Sequence, residues 1–174
     1  MRITFELEPA DIERFQAALG RARAAARCAG ELDVIDAAKY ALDHLCAGDA
    51  PSYVRKRLSQ VQSLILMLED EDWALSDPER TDVVETLLYF GDPDDLIPDH
   101  IEVIGLLDDA IMLELLVRRV RHVLGAYANF CAFRSALDAG SGTRQLRARS
   151  LAAKRVELQL RMRNRRKRHI GARS

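Results

Sequence analysis

A short segment of this chain, residues 92–109 (DPDDLIPDHIEVIGLLDD), holds six aspartates among residues that are mostly apolar or turn-forming. Carboxylates are seldom left inside an apolar segment without a partner, because burying a bare charge costs several kcal/mol. The segment must therefore fold so that its acidic side chains meet backbone amides, a cation or water. This requirement favours a loop that ends against a helix.

Hydrophobic periodicity predicts helices along most of the chain, since apolar residues recur every three or four positions. Ser76 and Glu79 have the spacing of a capping box, which marks a helix start. The tail alternates ambiguously between strand and helix, and we favour the helix. The other predicted helices run from about Pro9 to Arg27, Leu32 to Gly48, Pro51 to Leu68, Ser76 to Gly91, and Pro98 or Gly105 to Leu137.

The predicted architecture is all-α, a helical bundle of five to six helices. Residues 2–7 alternate in polarity and suggest a short N-terminal strand or extended arm ahead of the bundle. We divide the chain into a helical domain over residues 1–143 and a basic C-terminal extension, with a tail helix, over residues 144–174.

Charge is distributed unevenly between these two parts. Residues 1–143 carry 14 Lys and Arg against 26 Asp and Glu, whereas residues 144–174 carry 12 against one. The most apolar stretch, residues 101–124, contains seven charged residues, and a charge at mid-bilayer costs about 2.5 to 3.5 kcal/mol. We therefore expect no membrane-spanning helix, and we keep an integral membrane protein as an alternative.

The cysteines bear on the cellular compartment. Cys28, Cys46 and Cys131 are odd in number, lack metal-type spacing and follow no secretory leader. They are expected to be reduced thiols, in a cytoplasmic protein.

The aspartates admit three chemical interpretations. On a helical wheel, Asp109 falls on the apolar stripe of the long helix, so it is expected to be buried and to need hydrogen bonds. In the first interpretation the aspartates bind backbone amides and hold the loop against that helix, an arrangement we call the latch. The stripe comprises Leu106, Leu113, Leu116, Val117, Val120, Leu124 and Cys131.

The second interpretation is an oxygen-rich site for Mg²⁺ or Ca²⁺, and the third is a carboxylate pair for acid–base catalysis. The spacing does not match a calcium-binding loop, and no nucleophile motif supports an enzyme. The sequence thus favours no cofactor and a protein without catalytic activity, with a metal-dependent enzyme as the alternative. The candidate site residues are Asp92, Asp95, Asp99, Asp108 and Asp109.

A second candidate site is a basic cluster in the tail: Arg161, Arg163, Arg165, Arg166, Lys167 and Arg168. Three partners fit this charge: an anionic membrane surface, nucleic acid bound without sequence specificity, or the acidic part of this same protein. The cluster lacks the interleaved aromatic residues that stack on bases. Because residues 1–143 carry an excess of twelve negative charges, self-association or a protein partner is expected alongside lipid or nucleic acid, and no small-molecule substrate is identifiable.

The aspartate segment resembles the signature of the YkvA-like family, bacterial proteins that contain domain of unknown function 1232. The resemblance rests on Tyr89, Asp92-Pro93, Asp95-Leu96-Ile97-Pro98-Asp99, Ile104-Gly105 and Leu107-Asp108-Asp109. It extends more loosely over about residues 54–120, and the N-terminal residues are similar to those of some longer members. The resemblance implies no settled activity, although membrane association is often suspected for the family. Together these expectations describe a binding or adaptor protein, peripheral at the inner membrane surface through its basic tail.

Overall fold

The structure, a computed structural model, describes residues 30–44, 52–90, 105–140 and 143–171, and the single positions Pro9, Glu13, Ala17, Gly20, Arg21, Ala24 and Cys28. Within these ranges, side chains are described except at positions 44, 53, 54, 105–113, 116 and 166–171. The predicted N-terminal strand falls on residues 2–7, which lie outside the described part.

The described ranges form five helices and contain no strand, which confirms an all-α protein. These are α1 (Glu31–His44), α2 (Ser52–Glu69), α3 (Asp77–Phe90), α4 (Gly105–Asp138) and α5 (Arg144–Gly171). The isolated positions from Pro9 to Ala24 are also helical, in agreement with the helix predicted there. The tail is a helix rather than a strand.

Local sequence signals set several of the helix ends. The carbonyl of Ser76 accepts the first backbone hydrogen bond of α3 from Arg80, and its hydroxyl bonds the side chain of Glu79. Ser76 is therefore the N-cap residue of α3, and the predicted start of this helix is confirmed. Thr143 caps α5 with its side chain, because its Oγ1 accepts a hydrogen bond from the amide of Leu146 at 3.3 Å.

One continuous core joins the helices. Its largest fully buried side chains are Trp73, Phe130, Leu64, Met67, Leu87 and Met162. Trp73 lies in the turn between α2 and α3, where its ring contacts Phe130 of α4 at a centroid distance of 5.1 Å. Trp73 therefore lies at the centre of the core. Helix α5 contributes Leu151, Leu158 and Met162 to the same core.

The buried face of α4 differs from the predicted stripe. Val117 and Val120 are buried as expected, but Leu124 and Cys131 are only partly buried. Tyr127 and Phe130 are buried instead, because the turn after α2 and the inner side of α5 cover that side of the helix. In helix α1, Leu32 is 76% exposed although it is one of the apolar residues whose spacing predicted that helix.

Candidate functional site

The predicted aspartate site lies largely outside the described residues. Asp92, Asp95 and Asp99 fall between α3 and α4, in residues 91–104. Asp108 and Asp109 lie in the first turns of α4, where the structure describes the backbone alone. Both the latch and the metal site therefore stay predictions.

Asp70, immediately after α2, organises a second acidic centre that the sequence did not reveal. Its carboxylate accepts hydrogen bonds from the Tyr127 hydroxyl at 2.9 Å and from the Arg134 guanidinium at 3.0 Å. It also accepts one from the backbone amide of Trp73 at 3.1 Å. Because the side chain is only 9% exposed, these donors replace most of the water that the charge has lost.

Asp70 and Arg134 line one end of an open groove of about 720 Å³ between α2 and α4. Burial, followed by the hydrogen bond to Asp70, raises the pKa of Tyr127 well above its usual value. The phenol therefore stays neutral at physiological pH and continues to donate to Asp70. This chemistry is that of a fixed hydrogen-bond network, which ties α4 to the end of α2.

Helix α5 binds the rest of the protein through polar contacts of residues in the range from Arg147 to Gln159. Arg147 forms a two-pronged ion pair with Asp138 at the end of α4. Arg155 donates to the carbonyl of Asp72 at 3.3 Å. Gln159 donates to the carbonyls of Trp73 and Ala74 at 3.0 and 3.1 Å. Ala74 has a φ of 42°, so the turn presents its carbonyls from a left-handed backbone conformation.

The second half of α5 carries positive charge that is not used in this way. Arg161 pairs with Glu157 of the same helix at 2.7 Å. Arg163 and Arg165 are exposed, and within the part of the chain that the structure describes they make no ion pair. Arg166, Lys167 and Arg168 continue the helix, with backbone alone described.

The exposed side of α5 also carries apolar residues. We define the outer face of α5 as Leu146, Arg149, Val156, Leu160 and Arg163, all exposed and all on one side at helical spacing. Val156 and Leu160 are each 53% exposed. Leu151, Leu158 and Met162 occupy the opposite side, against the core. The outer face is thus basic and apolar together.

The described residues bear on two alternative functions, a metal site and a membrane span. Among the described residues, no group of three or more His, Cys, Asp or Glu side chains is arranged to hold a metal ion. In the same part of the chain, each helix is too short or too polar to cross a bilayer.

The basic cluster is visible as a run of charge in the sequence and stays a predicted site, whereas no such local pattern marks the Asp70 centre. Asp70 stands in an acidic run with Glu69, Glu71 and Asp72, which reads as a solvated surface segment. Tyr127 and Arg134 lie 57 and 64 residues further along the chain. The one available signal was their seven-residue separation, which places both on the same face of α4.

The comparisons with known proteins match one part of the chain. No curated protein and no solved structure matches the chain. Residues 83–115 match the model of a family described as a protein of unknown function (DUF1232). This segment runs from the middle of α3 into α4 and includes all five candidate aspartates. The chain therefore carries, over 33 of its 174 residues, a match to this domain of unknown function.

Proposed function

We propose that this protein is a non-enzymatic binding or adaptor protein that attaches to an anionic membrane surface through the outer face of α5. The observation that supports the proposal is the combination on one exposed helix side of Arg163 with Val156 and Leu160. A helix with cations and aliphatic side chains on one exposed side suits the boundary between lipid headgroups and acyl chains.

The division of labour within α5 supports an external partner for its C-terminal part. Arg147 and Arg155 are bound to the protein itself, through Asp138 and the carbonyl of Asp72. Arg163 and Arg165 are exposed and lie beyond Met162, the last described residue of α5 in the core. Their charge is therefore available to phosphate groups.

The apolar residues favour a membrane over nucleic acid. Contact with a phosphate backbone would not bury the apolar side chains of Val156 and Leu160. Insertion into a bilayer surface would remove both side chains from water, which is favourable. Aromatic side chains, which stack on bases, are missing from residues 144–171. We infer a bacterial protein of the YkvA-like kind that is located in the cytoplasm and bound to the inner membrane.

Vesicle sedimentation tests the proposal directly. The full-length protein is expected to pellet with vesicles that contain phosphatidylglycerol and to stay in solution with phosphatidylcholine vesicles. Each Lys or Arg near such a surface contributes about 1 kcal/mol, so replacing the two arginines of the outer face, Arg149→Gln with Arg163→Gln, should weaken binding about 30-fold. Added salt should weaken it as well, because it screens the attraction.

A matched control keeps the same change in net charge. Arg55 and Lys56 are exposed on α2, away from α5, and replacing both by Gln should leave vesicle binding almost unchanged. Equal losses in the two double variants would show that net charge, not α5, determines binding. Equal binding to neutral and anionic vesicles would overturn the proposal.

A further inference from the structure

Helix α1 presents an exposed side that is both acidic and apolar. We define the outer face of α1 as Leu32, Asp33, Asp36, Tyr40 and Asp43, all of which are exposed. Leu32 is 76% and Tyr40 66% exposed, so two large apolar side chains face solvent on a helix of 14 residues. The opposite side, with Val34, Ile35 and Ala38, is buried. Apolar area and negative charge on the same side of α1 can therefore be contacted by a single partner.

The outer faces of α1 and α5 are complementary. Leu32, Asp36 and Tyr40 follow one another at intervals of four residues, and so do Val156 and Leu160. Asp36 and Asp43 give the first face its negative charge, whereas Arg149 and Arg163 give the second its positive charge. Opposite charges around matching apolar side chains favour association and fix its orientation.

These two faces cannot meet within one molecule while α5 stays in place. Helix α5 is held by Leu158 and Met162 in the core and by the hydrogen bonds of Gln159 to Trp73 and Ala74. Its outer face is on the side opposite these contacts. Helix α1 packs on α2 and α3, whereas α5 packs on α4. A complementary pair of surfaces on different sides of one molecule suits contact between molecules.

We propose that the outer face of α1 in one copy of this chain binds the outer face of α5 in a second copy. The contact joins two different surfaces, so copies associate head to tail, as a row or a closed ring. Helix α1 is about 21 Å long, which makes the contact small and sensitive to salt.

This association also regulates the site described above, a consequence that rests on the proposed function. The contact covers Val156, Leu160 and Arg163, the residues proposed to meet the membrane. A molecule engaged in self-association through α5 is therefore unavailable to a bilayer, and anionic lipid should dissociate the assemblies.

Sedimentation velocity without lipid tests the association by itself. The wild-type protein is expected to show a sedimentation coefficient that rises with protein concentration and falls with added salt. Asp36→Lys with Asp43→Lys should weaken self-association at least about tenfold, and so should Arg149→Glu with Arg163→Glu. Asp33 is left unchanged, because a carboxylate in the first turn stabilises α1.

Mixing the two double variants provides the decisive control. Each variant retains a face that is complementary to one on the other, so the equimolar mixture should associate although neither variant does alone. A mixture that stays monomeric, or an α1 variant that still self-associates, would overturn the proposal. Vesicle binding should persist in the α1 variant, so failure of membrane attachment and failure of self-association are observed separately.

Discussion

The hydroxyl of Tyr127 donates a hydrogen bond of 2.9 Å to the carboxylate of Asp70, which links the middle of α4 to the residue that follows α2. Arg134, two turns further along α4, reaches the same carboxylate. The amide of Trp73 adds a third donor and closes the turn on which Gln159 of α5 rests. The largely buried carboxylate of Asp70 thus fixes the positions of α2 and α4 relative to each other and, through the turn, the position of α5.

Asp70→Asn is expected to lower the free energy of unfolding by about 1.5 to 3 kcal/mol, because it removes a charged acceptor that serves three donors. Urea unfolding followed by circular dichroism measures the loss. Asp72→Asn is the control, since Asp72 is 48% exposed and its nearest guanidinium nitrogen, of Arg134, lies at 3.7 Å. Equal losses in the two variants would contradict a central role for Asp70.

The contribution of α5 to the core can be measured with two leucines of the same helix. Leu158 is buried and Leu160 is 53% exposed. Leu158→Ala should cost about 2 to 5 kcal/mol, whereas Leu160→Ala should change stability by no more than about 0.5 kcal/mol.

Trp73, the single tryptophan, reports on the same change. Its ring is fully buried, so its emission should shift to longer wavelength at a lower urea concentration in Leu158→Ala than in the wild type. Similar transitions in the two leucine variants would mean that α5 contributes little to the core.

The predicted division of the chain between residues 143 and 144 stays a prediction. Removal of α5 would expose the core residues that it covers.

Features coded in neighbouring residues could be predicted, and features that depend on distant ones could not. Helix α3 starts after Ser76 as the spacing of Ser76 and Glu79 indicated, because both residues lie within one helical turn and their side chains contact each other. Leu32 lies three residues before the buried Ile35, a spacing typical of two residues on one buried helix face. Leu32 is nevertheless exposed, because α2 and α3 cover a different side of α1. A helical wheel describes one segment only, so it does not show on which side the neighbouring helices pack.

The candidate sites also differ in whether neighbouring or distant residues define them. The basic cluster from Arg161 to Arg168 is a run of neighbouring residues, so its positive charge could be predicted. Which arginines are free depends on contacts such as that of Arg155 with Asp72, 83 residues away. The Asp70 centre joins residues from two helices and a turn, and no local pattern distinguishes Asp70 from its acidic neighbours.

The ion pair between Asp138 and Arg147 predicts a pH dependence at the junction of α4 and α5. The hydrogen bond from Arg147 holds the pKa of Asp138 below its usual value. A carboxyl group with a lowered folded-state pKa contributes stability above its unfolded-state pKa, and this contribution is lost as the pH falls through the folded-state pKa. The ion pair should therefore stabilise the junction at neutral pH and fail in acid.

An NMR titration of the Asp138 carboxyl carbon measures this shift. The midpoint should rise toward the usual value in Arg147→Gln and stay low in Arg149→Gln, since Arg149 is exposed on the outer face of α5. A midpoint that is equal in all three proteins would show that the ion pair does not form in solution.

The aspartate segment is best tested at Asp109, in the early part of α4. If the latch prediction holds, Asp109→Asn should lower the free energy of unfolding by about 1.5 to 3 kcal/mol, because a charged acceptor of hydrogen bonds is removed. Asp108→Asn, at the edge of the predicted stripe, should cost less. Neither Mg²⁺ nor Ca²⁺ should then change the melting temperature of the wild type. A rise with either ion that disappears in Asp109→Asn would support the metal site, since a ligand that binds only the folded state stabilises it.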